Sequence, residues 1–526
     1  MSQKKAKGYL VASALWVVIL LVLAAAYKFL VAPFFSEKLT EDTGSTSQYQ
    51  SEMRIATDSF SGYAILRSEE IKHRLKSDGI KLNILDDQAD YARRLAALKN
   101  GDVDLAVFTI DSYLTAGANA GEFPGSIVMI IDETKGGDAI IAKTNVVSSL
   151  QALNDPEACM VLTPDSPSEF LARVVLAHFN LPRLPEKWWI EADGARAVLD
   201  QARSHRGSQK RAFVLWEPYI SRAVNQYGYQ ILLDSSKLNG YIVDVLVARR
   251  DFLRDQPEQV ADLIKAYFRA AYQLNQQENG MQALVQKDAG ETGGDPLNDA
   301  QAQKVVQGIR WKNTLENFAH FGLDNGNASQ DLQHIEDIIA NIVEVLVKTE
   351  AIDRDPLEGK YHTLFYQQIL AELKDSSFHP ARDINMVSEL GPDLSTMETI
   401  RTTAEAQAIS DAQWSQLRPV GELKMKPLVF VRGSSNISLA SKRDLAGMAK
   451  KLKTFPEFYL RIIGQTRAEG DANANRRLAE QRAGAVAQCL MNDGIGSQRI
   501  RTEAMPSQAR AGAAQSVRFI VGQLPY

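Results

Sequence analysis

Short apolar runs alternate with amphipathic stretches along most of the chain. Met53–Thr57 reads as a strand and Gly62–Ser77 as a helix. Ile80–Leu85 reads as a strand, Asp90–Lys99 as a helix and Val103–Phe108 as a strand. The alternation continues through Ala139–Ala142, Ala158–Leu162, Phe170–Phe179, Ala195–Ala202, Ala212–Leu215 and Val243–Ala248. Strands alternating with helices predict βαβ units and parallel pairing. Roughly 300 residues of this pattern are too many for one sheet, so two α/β lobes are expected. Residues 351–382 add one helix, Tyr361–Leu373, and a turn-rich KDSSFHPARD segment begins at Lys374. Residues 383–417 are polar, with one amphipathic piece at Thr396–Trp414. A second alternation follows. Leu428–Val431, Phe458–Gly464, Arg499–Ala504 and Ser516–Val521 read as strands, and Ala440–Leu452 and Asn475–Leu490 as helices. That order suits one small α/β sandwich.

The N-terminus breaks the pattern. Lys4, Lys5 and Lys7 precede the uncharged stretch Gly8–Tyr27, long enough to cross a bilayer as a helix. Lysines before the span place the N-terminus in the cytoplasm and the rest outside the inner membrane. A cleaved signal peptide is the rival, because Ala24-Ala25-Ala26 fits a small-residue cleavage pattern. Retention is the preferred reading, since the apolar character runs on from Phe29 to Phe35. Residues 36–50 are polar and rich in Ser/Thr, a tether.

Charge changes the picture at the other end. The chain of 526 residues carries a formal −5, but from Arg418 onward 18 Lys/Arg face 8 Asp/Glu, a balance of +10 that leaves −15 on the remainder. A basic final module suggests an anionic partner in the envelope, or simply a solvated basic face. Cys159 and Cys489 lie in different modules, so neither a disulfide nor a metal pair is expected. The seven histidines show no metal-ligand spacing. No Walker loop, dinucleotide fingerprint, HExxH or CxxC motif occurs. No cofactor, no enzymatic activity and no nucleic-acid partner are expected.

In open α/β sheets ligands bind on the loops at the carboxyl ends of strands. Four such loops carry polar or aromatic side chains. The first is Asp58, Ser59, Phe60, Ser61, Gly62 and Tyr63. The second holds Thr109, Asp111 and Ser112. The third runs from Thr163 through Ser166 and Ser168 to Glu169, and the fourth is Trp216-Glu217-Pro218. Ser, Asp and Gly in such places also serve as plain helix caps and turns. The third loop presents backbone N–H groups suited to an anion. Yet Asp58, Asp111, Asp132, Asp138, Asp165, Glu217 and Asp244 lie on or near the loops, and the loops hold no Lys or Arg. A neutral-to-cationic ligand, such as an amine or a pyrimidine ring, suits them better than a bare oxyanion. The candidate ligand-binding set is Ser59, Phe60, Ser61, Gly62, Tyr63, Thr109, Asp111, Asp138, Thr163, Ser166, Ser168, Trp216, Glu217 and Asp244.

Six segments carry a resemblance to a known family. They are LAALKNGDVDLAVF at 95–108, KGGDAIIAK at 135–143, TPDSPSEFL at 163–171, FVLWEPY at 213–219, DVLVARRDFLRDQPEQV at 244–260 and IRWKNTLENFAHFG at 309–322. In this order they resemble periplasmic solute-binding proteins of the nitrate, taurine and aliphatic-sulfonate type, including relatives that bind pyrimidine precursors. The resemblance implies an α/β two-lobed clamp (type 2) over residues 51–355. Lobe one would be about 51–135 and 243–350, and lobe two about 138–240. The chain would cross the hinge near Gly136-Gly137 and Gly240-Tyr241.

The last module is similar to the OmpA-like domain, through IIGQTRAEGDANANRRLAEQRAGAV at 462–486 and LMNDGIGSQRIRTEA at 490–504. In that family a turn Asp and a helix Arg grip the diaminopimelate of peptidoglycan. Here Thr466, Asn475 and Arg482 match the pattern, but Arg467 stands where the Asp belongs. The sequence therefore predicts an N-terminal transmembrane helix (8–27), a tether (36–50), the clamp (51–355), a helical linker (356–417) and an OmpA-like α/β sandwich domain (418–526). The expected role is capture of a small-molecule solute from the periplasm for an ABC-type permease, tied to the inner membrane and to peptidoglycan or another anionic envelope component. A sensor or scaffold that uses the clamp without transport is the alternative. An enzyme on the same fold is a remote one.

Overall fold

The structure is a computed structural model that describes residues 49–293, 296–323, 332–382, 398–401, 405–465, 471–505 and 517–526. The expected membrane helix at 8–27 and nearly all of the tether lie outside the described residues. Among the described residues no helix is long and apolar enough to cross a membrane.

Two α/β sheets form the clamp. Strands β1 (Ser51–Thr57), β2 (Ile80–Asp86), β3 (Leu105–Thr109) and β4 (Gly125–Thr134) build the first half of sheet one, and β5 (Asp138–Ala142) opens sheet two. Sheet two continues with β6 (Cys159–Leu162), β7 (Trp189–Glu191), β8 (Arg211–Trp216) and β9 (Gln230–Asp234). The chain then returns to sheet one through β10 (Val243–Arg249) and β11 (Ile309–Trp311). Sheet one has the order β11-β4-β10-β3-β1-β2, and sheet two β7-β6-β8-β5-β9. β1 pairs in parallel with β2 and β3, and β6 with β7 and β8, while β10 and β5 run antiparallel to their neighbours. Period-two alternation is plain in β5. Ile140 and Ala142 join the large core, whereas Ala139 and Ile141 face a smaller core with Val198, Phe213 and Leu215.

The helices that place the site are α1 (Glu69–Ser77), α2 (Tyr91–Asn100), α3 (Ile110–Ala120), α4 (Pro167–His178), α5 (Gly194–Ser204) and α6 (Tyr219–Tyr227). Farther along come α7 (Pro257–Gln276), α8 (Gly280–Glu291), α9 (Ile335–Lys348) and α10 (Gln368–Asp375). Helix α9 packs on both α3 and α4, so it straddles the two sheets.

The elements depart from the sequence reading in four places. Gly62–Ser77 is not one helix. Ser68 is extended (φ −64°, ψ 149°), ends the turn Ala64–Arg67, and caps α1 by accepting from the Ile71 N–H. Strand β4, with every residue buried, was missed because GSIVMIIDET has no alternation to read. The segment 361–375 does not behave as a linker. Leu364, Ile369, Leu370 and Leu373 are buried in the large core, and Phe365 bridges Ile127 of β4. Leu428–Val431 forms only an isolated bridge between Phe430 and Ile437.

The C-terminal module has α11 (Leu439–Lys453) and α12 (Ala472–Asn492) with β12 (Arg418–Glu422), β13 (Tyr459–Gln465), β14 (Ile500–Met505) and β15 (Val517–Gln523), ordered β12-β15-β13-β14. Gly464 lets β13 lie against α12, since a Cβ there would stand 2.0 Å from the Ala479 carbonyl oxygen. Arg501 of β14 reaches Asp411 of a short helix, Asp411–Gln416, the regular part of the expected Thr396–Trp414 piece.

Candidate functional site

The chain passes between the sheets at residues 135–137 and 238–242, and a cleft of about 780 Å³ opens beside those crossings. Its walls come from the strand ends of both sheets. Ser59, Phe60, Ser61, Tyr63, Asp138, Thr163, Ser166, Trp216, Glu217 and Asp244 line it. Four residues of the expected set do not. Gly62 is buried behind Phe60 and Asp132, Thr109 and Ser168 are buried, and Asp111 is 5 % exposed but off the cleft surface. Asp111 lies in the first turn of α3 and is buried there.

The first loop is held from behind by two arginines. Arg94, fully buried on α2, donates to Asp58 Oδ2 at 2.9 Å and also pairs with Asp87. Arg67 donates to the carbonyls of Asp58 and Phe60 at 2.6 and 2.7 Å and pairs with Asp288 on α8. Asp58 Oδ1 accepts the Phe60 N–H at 2.9 Å, and Trp311 Nε1 donates to the Gly62 carbonyl at 2.8 Å. The rings of Phe60 and Tyr63 meet edge-on at 5.3 Å. Such a loop is preorganised and brings its rings to the cleft without further ordering.

The floor is a row of carboxyls. Asp244 on β10 pairs in register with Thr109 on one side and Asp132 on the other. The Tyr63 hydroxyl donates to Asp244 Oδ1 at 2.5 Å. Burial pushes Asp132 well above the usual carboxylate range. Burial, then the charge of Asp132, pushes Asp244 far above the usual carboxylate range. Two buried carboxyls side by side cannot both ionise readily, so the pair retains a proton. Asp138, which opens β5 opposite Trp216, is pushed up to about 7 by burial, and so is Asp111. Nearby, Glu133 is driven the other way. Burial opposes its charge, but Lys135 and Lys312 outweigh burial and hold it well below the normal range.

The third loop is mostly consumed by capping. Ser166 Oγ accepts the Glu169 N–H and donates to the Thr163 carbonyl, while Glu169 accepts the Asp165 N–H at 2.7 Å. Glu169 thus reaches Asp165 and not Ser166, one residue beyond a capping box. Glu217 likewise takes the N–H and hydroxyl of Ser221 at the start of α6.

Several lining residues escaped the sequence reading. Tyr91, Thr134, Tyr219 and the Glu191–Arg196 loop between β7 and α5 all reach the cleft. The last was recoverable, because an acidic, Gly-containing turn immediately precedes the helix read at Ala195–Ala202. Arg94 had no signal, since its partners lie 7 and 36 residues away.

In the C-terminal module Arg482 Nε donates to the Ser434 carbonyl at 3.1 Å, and its guanidinium lies 4.9 Å from the Phe430 ring centroid. Asn475 is half-buried on the first turns of α12. Thr466 and Arg467 lie outside the described residues.

Residues 429–516 match the OmpA family and residues 201–285 the NMT1-like family. Over 78 residues the chain is 35% identical to the probable lipoprotein YiaD of Escherichia coli (strain K12). That stretch is 15% of this chain and 36% of the relative, so the chain spans about a third of that relative's length. Among solved structures, the alkanesulfonate-binding protein SsuA of Xanthomonas axonopodis pv. citri bound to MOPS superimposes with TM-score 0.46 at 13% identity, covering 61% of this chain and 99% of its own. The periplasmic aliphatic sulphonate binding protein SsuA of Escherichia coli gives 0.43 at 17% identity, over 60% of this chain and 92% of its own. The chain thus carries an NMT1-like segment within its two-sheet α/β part and an OmpA-family match in its C-terminal module.

Proposed function

We propose that this protein captures a small solute in the interlobe cleft, working in the bacterial envelope while tied to the inner membrane and the wall. One observation carries the reading. A cleft of about 780 Å³ lies between two sheets that are joined by crossings at 135–137 and 238–242 and spanned by the straddling helix α9. Volumes of this order suit small-molecule ligands. Delivery to an ABC-type permease is the use we favour. The expected membrane span at 8–27 and the OmpA-family domain would hold the clamp between membrane and wall. The related protein's designation as a probable lipoprotein fits an envelope setting.

The second reading, a sensor, draws support from the way the C-terminal domain packs. It touches sheet two, α9 and the hinge together, so a change in clamp state has a path to the wall-facing module.

The full-length protein is the one to test. A panel of cationic, neutral and anionic solutes at 10 mM, far above ordinary dissociation constants, is expected to contain at least one that raises the melting temperature. A solute at 100 times its dissociation constant adds about 2.7 kcal/mol. The same solute should reduce the radius of gyration in solution scattering as the clamp closes. A panel with no stabilising member would sink the solute-capture reading.

A further inference from the structure

Eight carboxylate residues line the cleft among the described residues: Asp58, Asp86, Asp138, Asp165, Glu191, Asp193, Glu217 and Asp244. One cationic side chain, Arg196, lines it with them, and that residue already has a partner within the chain. Acidic lining alone would be a solvated surface. The buried oxygens on the floor are a separate matter. Asp244 is 1 % exposed and faces the cleft, and among the described residues its Oδ2 has no donor beyond the proton it shares with Asp132. Just beneath, neither oxygen of Asp132 has any other donor among the described residues. Buried polar atoms are normally paired, and one shared proton joins only two of these three oxygens. A cluster of such acceptors in one place asks for a ligand that brings donors and positive charge.

We propose that the cleft binds an organic cation, a protonated amine or amidine on a flat apolar body, with its N–H groups directed at Asp244 and Asp138 and its body lying against Phe60, Tyr91 and Trp216. This rests on the reading of the cleft as a solute site. Two features disfavour the alternatives. The N-terminus of α4, the one obvious anion cradle, has its N–H groups at Glu169 and Asp165 taken by Ser166 and Glu169, and the latter brings a carboxylate to the spot. A metal ion is the other cationic choice, but among the described residues no three His, Cys, Asp or Glu side chains converge to hold one. The rings of Phe60, Tyr63, Tyr91, Trp216 and Tyr219 around the cleft suit a cation with an apolar flank, through both burial and cation–π attraction.

Matched probes test this on the full-length protein by calorimetry and thermal shift. 2-Phenylethylamine is compared with 2-phenylethanol and 2-phenylethanesulfonate, and agmatine with 1,4-butanediol. The amine and the guanidine should bind at least about tenfold more tightly than their neutral or anionic twins, the worth of one charge-assisted hydrogen bond. Asp244→Asn keeps an acceptor for Tyr63 and gives Asp132 a donor. It should melt at the same or a higher temperature without ligand, yet bind the amine about tenfold more weakly. Asp138→Asn, which removes the other carboxyl that meets the cation and leaves the Tyr63–Asp244 bond intact, should likewise weaken amine binding and serves if the first variant fails to fold. Tightest binding of the sulfonate or the alcohol, or an unchanged amine affinity in a folded variant, overturns the cation inference and leaves solute capture standing. No response to any probe or to the wider panel overturns both.

Discussion

Asp138 shows how one side chain ties stability to binding. It is buried at the first position of β5, and burial raises its proton affinity to about 7 from the usual 3.8. Its folded value lies above the unfolded one. The neutral carboxyl therefore costs nothing at low pH, and the penalty grows as pH rises from about 4 to about 7, then stays constant. Each tenfold change in proton affinity is worth about 1.4 kcal/mol. Asp138→Asn should accordingly stabilise the ligand-free protein at pH 8, by on the order of 2 kcal/mol after allowance for relaxation. The gain should shrink to near zero at pH 4. Melting curves of both proteins across that range check it, and a pH-independent difference would show that Asp138 is solvated in the free protein. The sequence placed Asp138 in the candidate ligand-binding set but gave no sign of its raised proton affinity, because burial is a property of the assembled floor.

At the scale of elements, the hinge depends on two backbones lying unusually close. The Lys135 N–H donates to the Gly308 carbonyl at 2.7 Å, joining the first crossing to the start of β11. A Cβ on Gly308 would stand 2.9 Å from the Gly137 backbone. Gly308 has φ −83°, a value any residue adopts, so a substitution there acts through contact and not through its own torsions. Gly308→Ala should push the crossing away from β11, with a loss of about 1–3 kcal/mol by denaturant unfolding. It should also alter the affinity of whatever ligand the panel identifies. A variant that unfolds and binds as the parent does would mean that the crossing yields freely. The Gly136-Gly137 pair was legible as a hinge mark through the family resemblance. Its partner Gly308 was not, because the two are 171 positions apart and nothing local links them.

The whole molecule is more closely knit than a string of modules on a linker. Phe455, just past α11, stacks on Tyr241 with ring centroids 5.9 Å apart and meets His178 at 5.2 Å. The Tyr241 hydroxyl bonds to His178 Nε2 at 2.9 Å and to Thr454 Oγ1 at 3.3 Å. Asn239 donates to the Thr454 carbonyl, and Lys237 pairs with Glu457. Leu423 bridges Phe179 at the end of α4, while Lys450 and Lys451 reach Asp337 and Glu344 on α9. The OmpA-family domain is therefore seated on the back of the hinge. The exposed ion pairs contribute little, and the buried aromatic cluster carries the docking. Phe455→Ala should cost about 3–5 kcal/mol, as for other buried rings. In calorimetry it should separate the melting of the C-terminal domain from that of the clamp. A single unchanged transition would show that the seat is not formed in solution.

Local pattern was enough to expose the alternation of strands and helices, the acidic loops at strand ends and the OmpA-like signature around Asn475 and Arg482. Each of these depends on neighbours within a few residues, where periodicity and capping act. Strand β4 escaped because a strand buried on both faces carries no alternation. The two arginines behind the first loop, the buried pairing of Asp132 with Asp244, and the seating of Phe455 on Tyr241 escaped for a different reason. They join positions far apart in the chain, and both burial and charge compensation exist only once the sheets have assembled around them.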